Sequence, residues 1–235
     1  MKHTFITMFS FIAAFMFLAV SDLSASRIEE INIMLIVDAS SHSAEEWHDQ
    51  TKFYHTRQGL SNAFQELSNS PHWGLNVGLR LFGDSTARKR RNCTDFRLAA
   101  KLNWFEPAPI LSILENTRPK GKNCLAWAIA SSINDFPGSG RPSRNFLICI
   151  ISSRDECTKD ELLTIQHVVS QTNLEAIYII GIDMPETDYE YFKSMYPPLP
   201  GNVLNAEYPA SLTQIVTSIL NQKIQSSETS NDSAE

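Results

Sequence analysis

The chain has 235 residues, 43% of them hydrophobic, and a formal net charge of -6 at pH 7. Without a leader it is still long enough for one domain with a real core. The acidic balance argues against general nucleic-acid binding.

Lys2 precedes an apolar run from Phe5 to Val20, and small residues follow, with a cleavage point at Ser24 and Ala25. This reads as a secretory signal peptide over residues 1–25. No Cys stands just after the run, which argues against a lipid anchor, and no later segment is apolar enough to span a bilayer. The expected product is exported, periplasmic or secreted, with no stable membrane span once the leader is cleaved.

INIMLIV (31–37) is a continuous apolar run of strand length, as in a strand covered on both faces. Residues 44–67 read as a helix with Phe53, Leu60, Phe64 and Leu67 on one stripe and Glu45, Glu46 and Asp49 near its N-terminal end. Strands are predicted over 73–83 and 95–103, separated by a polar loop with four consecutive cations, Arg88-Lys89-Arg90-Arg91. Such a run is either a solvated loop or a seat for an acidic partner.

Pro107 and Pro109 open a short helix that ends near Asn116, and a turn-rich connection spans 118–123. Leu125, Ala128, Ile129, Ile133 and Phe136 then give helical periodicity. FLICII (146–151) is a buried strand, followed by a helix over 159–172, a strand over 175–183, a short helical piece, a strand near 202–207 and a helix over 209–222. From 223 to 235 the tail is polar and acidic, and disorder is expected. The domain therefore covers residues 28–222.

Strands alternating with helices predict an α/β fold, a doubly wound and mostly parallel sheet with helices on both faces. Ligands of such sheets bind beyond the carboxyl ends of the strands, here just after residues 37, 83, 151 and 182. Four cysteines in an exported chain suggest at least one disulfide. Cys149 sits inside an apolar strand, whereas Cys93, Cys124 and Cys157 lie in loop or helix-start sequence, and any two of these three could pair. His48, His55, His72 and His167 have no catalytic partner that spacing identifies, and no nucleophile elbow or paired Cys-x-x-Cys is present. Trp127 either packs in the core or is exposed at the strand ends.

Four segments at these strand ends, IMLIVDASSHS, NVGLRLFGDS with NCTDF, TRPKGKNCLAWAIASSINDF and NFLICIISSRDEC, carry a resemblance to von Willebrand factor type A domains, the exported bacterial members in particular. It runs over roughly residues 29–222. That family's metal-ion-dependent adhesion site surrounds Mg²⁺ with oxygen ligands and leaves a position open for a partner's carboxylate. Carried over, Asp38 and Ser40 match the first two ligands. His42 replaces the second Ser, Asn123 stands at the Thr position and Ser153 stands where an Asp completes the site. Imidazole is a poor Mg²⁺ ligand, and the lost carboxylate removes half of the formal charge that would offset a dication. The resemblance thus implies a degenerate site. Asp38 and Ser40 hold either a residual divalent metal or the loop backbone; a rearranged transition-metal site would join Asp38 and His42 to Asp155 or Asp183.

The resemblance also implies a Cys93–Cys157 disulfide, with Cys124 as the alternative partner. The implied function is binding of another protein, without catalysis and without Mg²⁺, through a rim made of Asp38, Ser40, His42, Asn123 and Ser153 and flanked by Arg88, Arg90 and Arg91. The alternatives are a metalloprotein or enzyme built on the rearranged site, and a structural subunit of an envelope complex.

Overall fold

A computed structural model describes residues 29–69, 74–137, 142–194 and 201–232. The expected leader lies outside the described residues, as do His72 and residues 233–235 of the expected tail.

In chain order the elements are β1 (Glu30–Asp38), the two-residue strands β2 (Glu46–Trp47) and β3 (Gln50–Thr51), α1 (Lys52–Ser68), β4 (Leu75–Phe82), β5 (Phe96–Trp104), α2 (Pro107–Asn116), α3 (Leu125–Ser132), β6 (Ser143–Ile151), α4 (Glu161–Ser170), β7 (Leu174–Ile182), α5 (Glu186–Lys193), β8 (Gly201–Ala206) and α6 (Pro209–Asp232). Six strands form one sheet in the order β5-β4-β1-β6-β7-β8. All pairs are parallel except the β4–β5 edge, where the chain returns directly and must run antiparallel.

The two-residue period of a strand explains why the central runs are apolar throughout. Ile31, Ile33, Leu35 and Val37 face one core layer, with side chains of α1, α2 and α6. Met34 and Ile36 face the other, with side chains of α3, α4 and α5. β6 divides in the same way, so Cys149 packs as a small apolar side chain in the second layer. The sheet is doubly wound and mostly parallel. Its strand order reverses at β1, which opens the ligand crevice beyond Asp38.

Register is fixed by a buried amide ladder across three strands. Asn76 Nδ2 donates to Asn32 Oδ1 at 3.0 Å, and Asn32 Nδ2 donates to Asn145 Oδ1 at 2.9 Å. These residues are direct neighbours in the parallel pairing, so a slip of any strand would strand a buried amide.

Two expectations are corrected. The first helix starts at Lys52, not near residue 44, because residues 44–51 turn and form the β2–β3 hairpin. A helix continued backwards on the Phe53–Leu60 stripe would bury Glu46, Asp49 and Gln50 and displace Trp47. The hairpin instead buries Trp47, edge-to-face with the His55 ring at 5.4 Å. Thr51 Oγ1 then caps α1 by accepting from Tyr54 N at 3.1 Å. The second correction is at the C-terminal end. α6 runs to Asp232, well past residue 222, since Ile224 extends the Val216–Leu220 stripe by one more turn and is buried against the same core layer.

This packing gives a direct test. Ile224→Ala is expected to lower unfolding free energy in urea by about 2–4 kcal/mol, as for other buried Ile truncations. A tail that begins at residue 223 would show no change.

Candidate functional site

The loops after β1, β4 and α2 meet backbone to backbone at the strand-end rim. Ser40 and Gly121 form an isolated bridge. Gly121 N donates to Gly83 O at 2.7 Å, Ser41 N to Gly121 O at 2.9 Å and Ala39 N to Phe82 O at 2.8 Å. Gly83 has φ of +77°, and a Cβ there would lie 2.7 Å from Ser40 Cα. A Cβ on Gly121 would come within 2.8 Å of Gly83 Cα. Only glycine allows this approach.

Asp38 ends β1 and is buried. Its Oδ1 accepts from Ser40 N at 2.7 Å and its Oδ2 from Ser152 N at 2.9 Å. Burial pushes its carboxyl above the usual range, against the opposing pull of those N–H groups. Ser40 Oγ accepts from His42 N at 3.3 Å, and Ser40 O accepts from Ser43 Oγ at 2.8 Å.

Asn123 is fully buried and acts as a clamp. Its Nδ2 donates to Ser153 O at 2.8 Å and lies 3.3 Å from Ser153 Oγ, while its Oδ1 accepts from Leu125 N at 3.1 Å in the first turn of α3. Asp155 serves backbone as well: Oδ2 accepts from Ala126 N at 2.9 Å, and Oδ1 from Cys157 N and Thr158 N at 2.6 and 2.7 Å. Beside it, Glu161 is buried at the start of α4 and accepts from Asp155 N at 3.2 Å. Burial foremost, and then the charge of Asp155, push the Glu161 carboxyl up to about 8.

A further carboxylate joins the remaining rim groups. Glu156 accepts from Asn123 N at 3.1 Å and from the Arg88 guanidinium, and His42 Nε2 lies 3.9 Å away. Burial works against the Glu156 charge, but the Asn123 N–H and Arg88 hold its carboxyl below the usual range. The other His42 nitrogen, Nδ1, is 2.9 Å from Glu45 Oε1. Glu156 was missed in the sequence. Its signal was an acidic residue after β6 opposite the only run of four cations.

These assignments bear on whether the carried-over residues fit a metal. Both oxygens of Asp38, the Oδ1 of Asn123 and both oxygens of Asp155 are engaged by backbone N–H groups, and Ser40 Oγ already accepts a hydrogen bond. Asp183 lies 3.8 Å from the buried Lys52 ammonium, which also stands 3.7 Å from Glu45, so Asp183 is engaged by a cation and not by His42. Of the five carried-over positions only Asp38 brings a carboxylate, beside an imidazole, an amide and two hydroxyls, a donor set that fits Mg²⁺ poorly. His42 faces Glu45 and Glu156, so the rearranged set of Asp38, His42 and Asp155 or Asp183 is not assembled. Among the described residues no group of three or more His, Cys, Asp and Glu is placed to hold a metal ion.

The basic loop flanks the rim. Residues Arg88–Arg90 form a 3₁₀ turn, and Arg91 closes it in the left-handed region with φ of 50°. Lys89, Arg90 and Arg91 are exposed and make no ion pair among the described residues. Cys93 is bonded to Cys157, with Cα atoms 5.4 Å apart. It ties the basic loop to the segment after β6 and closes a 64-residue separation, worth about 4 kcal/mol on the loop-entropy account. The buried Cys124 thiol lies 3.3 Å from Cys157 Sγ; burial, and secondarily Asp155, push it up to about 12. Trp127 is 45% exposed near the start of α3, so it is a surface side chain and not a core one. His55 is buried and bonds Trp47 O at 3.1 Å, a structural role.

Comparisons with known proteins fit this geometry. No family model and no curated protein matches the sequence. Among solved structures, a point mutant of the PilB minor pilin from Streptococcus sanguinis superposes with a TM-score of 0.68 at 10% identity, over 84% of this chain and 62% of that one. The pilus adhesin SpaC from Lactobacillus rhamnosus GG gives 0.65 at 13% identity, over 85% and 31%. The SpRpn10 VWA domain gives 0.60 at 15% identity, over 83% and 95%. The chain thus spans less than two thirds of the two bacterial structures. It has the von Willebrand A-type fold, and its strand-end site lacks the donor set of the metal-binding form.

Three outcomes follow from this site. Titration calorimetry with Mg²⁺ or Mn²⁺ is expected to show no saturable heat up to about 1 mM, the weak end of protein Ca²⁺ sites. Asp38→Ala is expected to destabilise the fold by about 2–5 kcal/mol, since two buried N–H groups lose their acceptor. Glu161 in the fold keeps a proton that the unfolded chain releases at its ordinary value of 4.5. Its contribution to stability is complete below that pH and is lost as pH rises through about 8. Glu161→Gln, which stays neutral, should therefore gain in thermal midpoint over the parent between about pH 5 and about pH 9.

Proposed function

We propose that this chain is exported and binds another protein through its strand-end rim, without Mg²⁺. The carrying observation is that the rim is held by its own hydrogen bonds, the Arg88–Glu156 pair and the Cys93–Cys157 bridge, yet it presents Lys89, Arg90, Arg91 and Trp127 to solvent. A cationic loop beside an exposed indole is a composition suited to protein recognition, where Trp and Arg contribute most. In a chain of net charge -6 the exposed cations select a partner face rich in Asp and Glu. The fold shared with a minor pilin and a pilus adhesin supports a role outside the cell, as does the apolar leader with Ser24 and Ala25. No helix among the described residues is long and apolar enough to cross a membrane.

Affinity capture from envelope and culture-fluid fractions, using the full mature chain as bait, tests the reading. A specific partner should be retained in EDTA and lost with Arg90→Glu and Arg91→Glu, and Trp127→Ala should weaken it by about 2 kcal/mol or more, the level of an interface hot spot. Capture that disappears in EDTA, or that ignores these substitutions, would overturn it. N-terminal sequencing of the exported product should begin near Ser26; a cytosolic product that retains residues 1–25 would remove the export part.

A further inference from the structure

On the β5 side of the rim lies an open pocket of about 410 Å³, lined by Asp84, Arg97, Ser112, Ile113, Asn116, Thr117, Arg118 and Lys120. It adjoins the basic loop, because Arg88 N donates to Lys120 O at 2.8 Å. Its size falls within the range of small-molecule sites, about 300–1,000 Å³. Its walls are polar, without an aromatic ring, and Ile113 is the one aliphatic side chain on them.

The lining has two kinds of unused capacity. Three cations converge there. Arg118 uses Nη1 on the carbonyls of Glu115 and Thr117, at 2.9 and 3.0 Å, which leaves Nε and Nη2 without a partner among the described residues. Lys120 Nζ is exposed and likewise has none. Arg97 donates through Nε and Nη2 to Asp84 Oδ2 at 2.9 and 2.7 Å, which leaves Nη1. The acceptors are on the same lining. Asp84 is 9% exposed at its side chain, and its Oδ1 is buried with no donor among the described residues. Asn116 uses Nδ2 on Ser112 O at 2.8 Å and keeps Oδ1. Ser112 is exposed near the end of α2.

Cations beside hydroxyl, amide and carboxylate acceptors match a ligand that carries an anionic group and several hydroxyl donors together. An acidic protein segment could reach the cations, but the lining offers it no apolar recess to anchor a side chain. A free inorganic anion would leave the acceptors unsatisfied. We propose that this pocket binds one acidic sugar unit of a polyanionic glycan, its carboxylate or sulfate on Arg118 and Lys120 and its hydroxyls on Ser112 and Asn116. The glycan chain continues from the pocket along the adjoining Arg88–Arg91 loop, so one polymer meets both features. The pocket shares no lining residue with the protein-binding reading. The Arg88–Arg91 loop is common to both, so substitutions at Ser112, Arg118 and Lys120, and not those at Arg90 and Arg91, read out the pocket.

The test is calorimetric titration of the full mature chain, disulfide intact, at about 0.15 M ionic strength, where the screening length is about 8 Å. The probes are a galacturonate tetramer, a chondroitin sulfate tetramer, an uncharged maltotetraose, hexaglutamate and inorganic sulfate. At least one of the two acidic glycans should saturate, and affinity should fall by about tenfold with Arg118→Ala and with Lys120→Ala, as for loss of a charge-assisted contact. Ser112→Ala, on the exposed face of α2, should weaken the glycan without altering sulfate binding. Lys101→Ala, an exposed cation four residues beyond Arg97 on β5, should leave affinity within about twofold, because screened charges at that range contribute little. No binding of either acidic glycan, equal binding of maltotetraose, a preference for hexaglutamate, or indifference to Arg118→Ala and Lys120→Ala would each overturn the proposal.

Discussion

A carboxylate buried at the end of a central strand is tolerated only when its oxygens are matched by donors. Asp38 meets that condition with two backbone N–H groups from different segments, Ser40 in its own loop and Ser152 after β6. The same contact that makes the carboxylate tolerable therefore joins β1 to β6 at the point where the strand order reverses. Ser40 then bridges to Gly121, and Asn123 passes the connection on to Ser153 and the start of α3. Each neighbouring loop takes its position from the one before it, starting at Asp38.

In the metal-binding form of this fold a dication gathers these loops from the centre. Here the gathering is done from the sides. Glu156 stands between Arg88, the Asn123 N–H and His42, so a carboxylate surrounded by donors replaces a cation surrounded by oxygens. The Cys93–Cys157 bond adds a covalent link between the two outer loops. The polarity of the arrangement is inverted, while the loops it holds together are the same ones.

The fold was legible because the buried strands carry unbroken apolar runs and the helices carry clear stripes; both signals can be read along the chain without any long-range contact. The β2–β3 hairpin was not, since Glu45, Glu46 and Asp49 look like a favourable helix start until Trp47 requires a place in the core. Ile224 was overlooked because one apolar residue in a polar tail gives no stripe by itself; it counts only once Val216 and Leu220 are known to lie beneath it. At the site, the substitutions at His42, Asn123 and Ser153 showed that the usual ligand set was broken. They did not show what replaced it, because Glu156 and Arg88 are 68 residues apart and meet only through the folded loops. The amide ladder of Asn32, Asn76 and Asn145 was hidden for the same reason.

The contact among Gly83, Gly121 and Ser40 bears on the kinetics of recognition. With main chains touching and no side chain between them, the three loops cannot open one at a time; they move as a block or stay in place. On the proposed reading, a partner of this rim would dock on backbone that is already held in place, and little ordering entropy would be lost. Encounter would then be set by diffusion and by the field of the basic loop, and differences in lifetime between partners would appear in their dissociation rates.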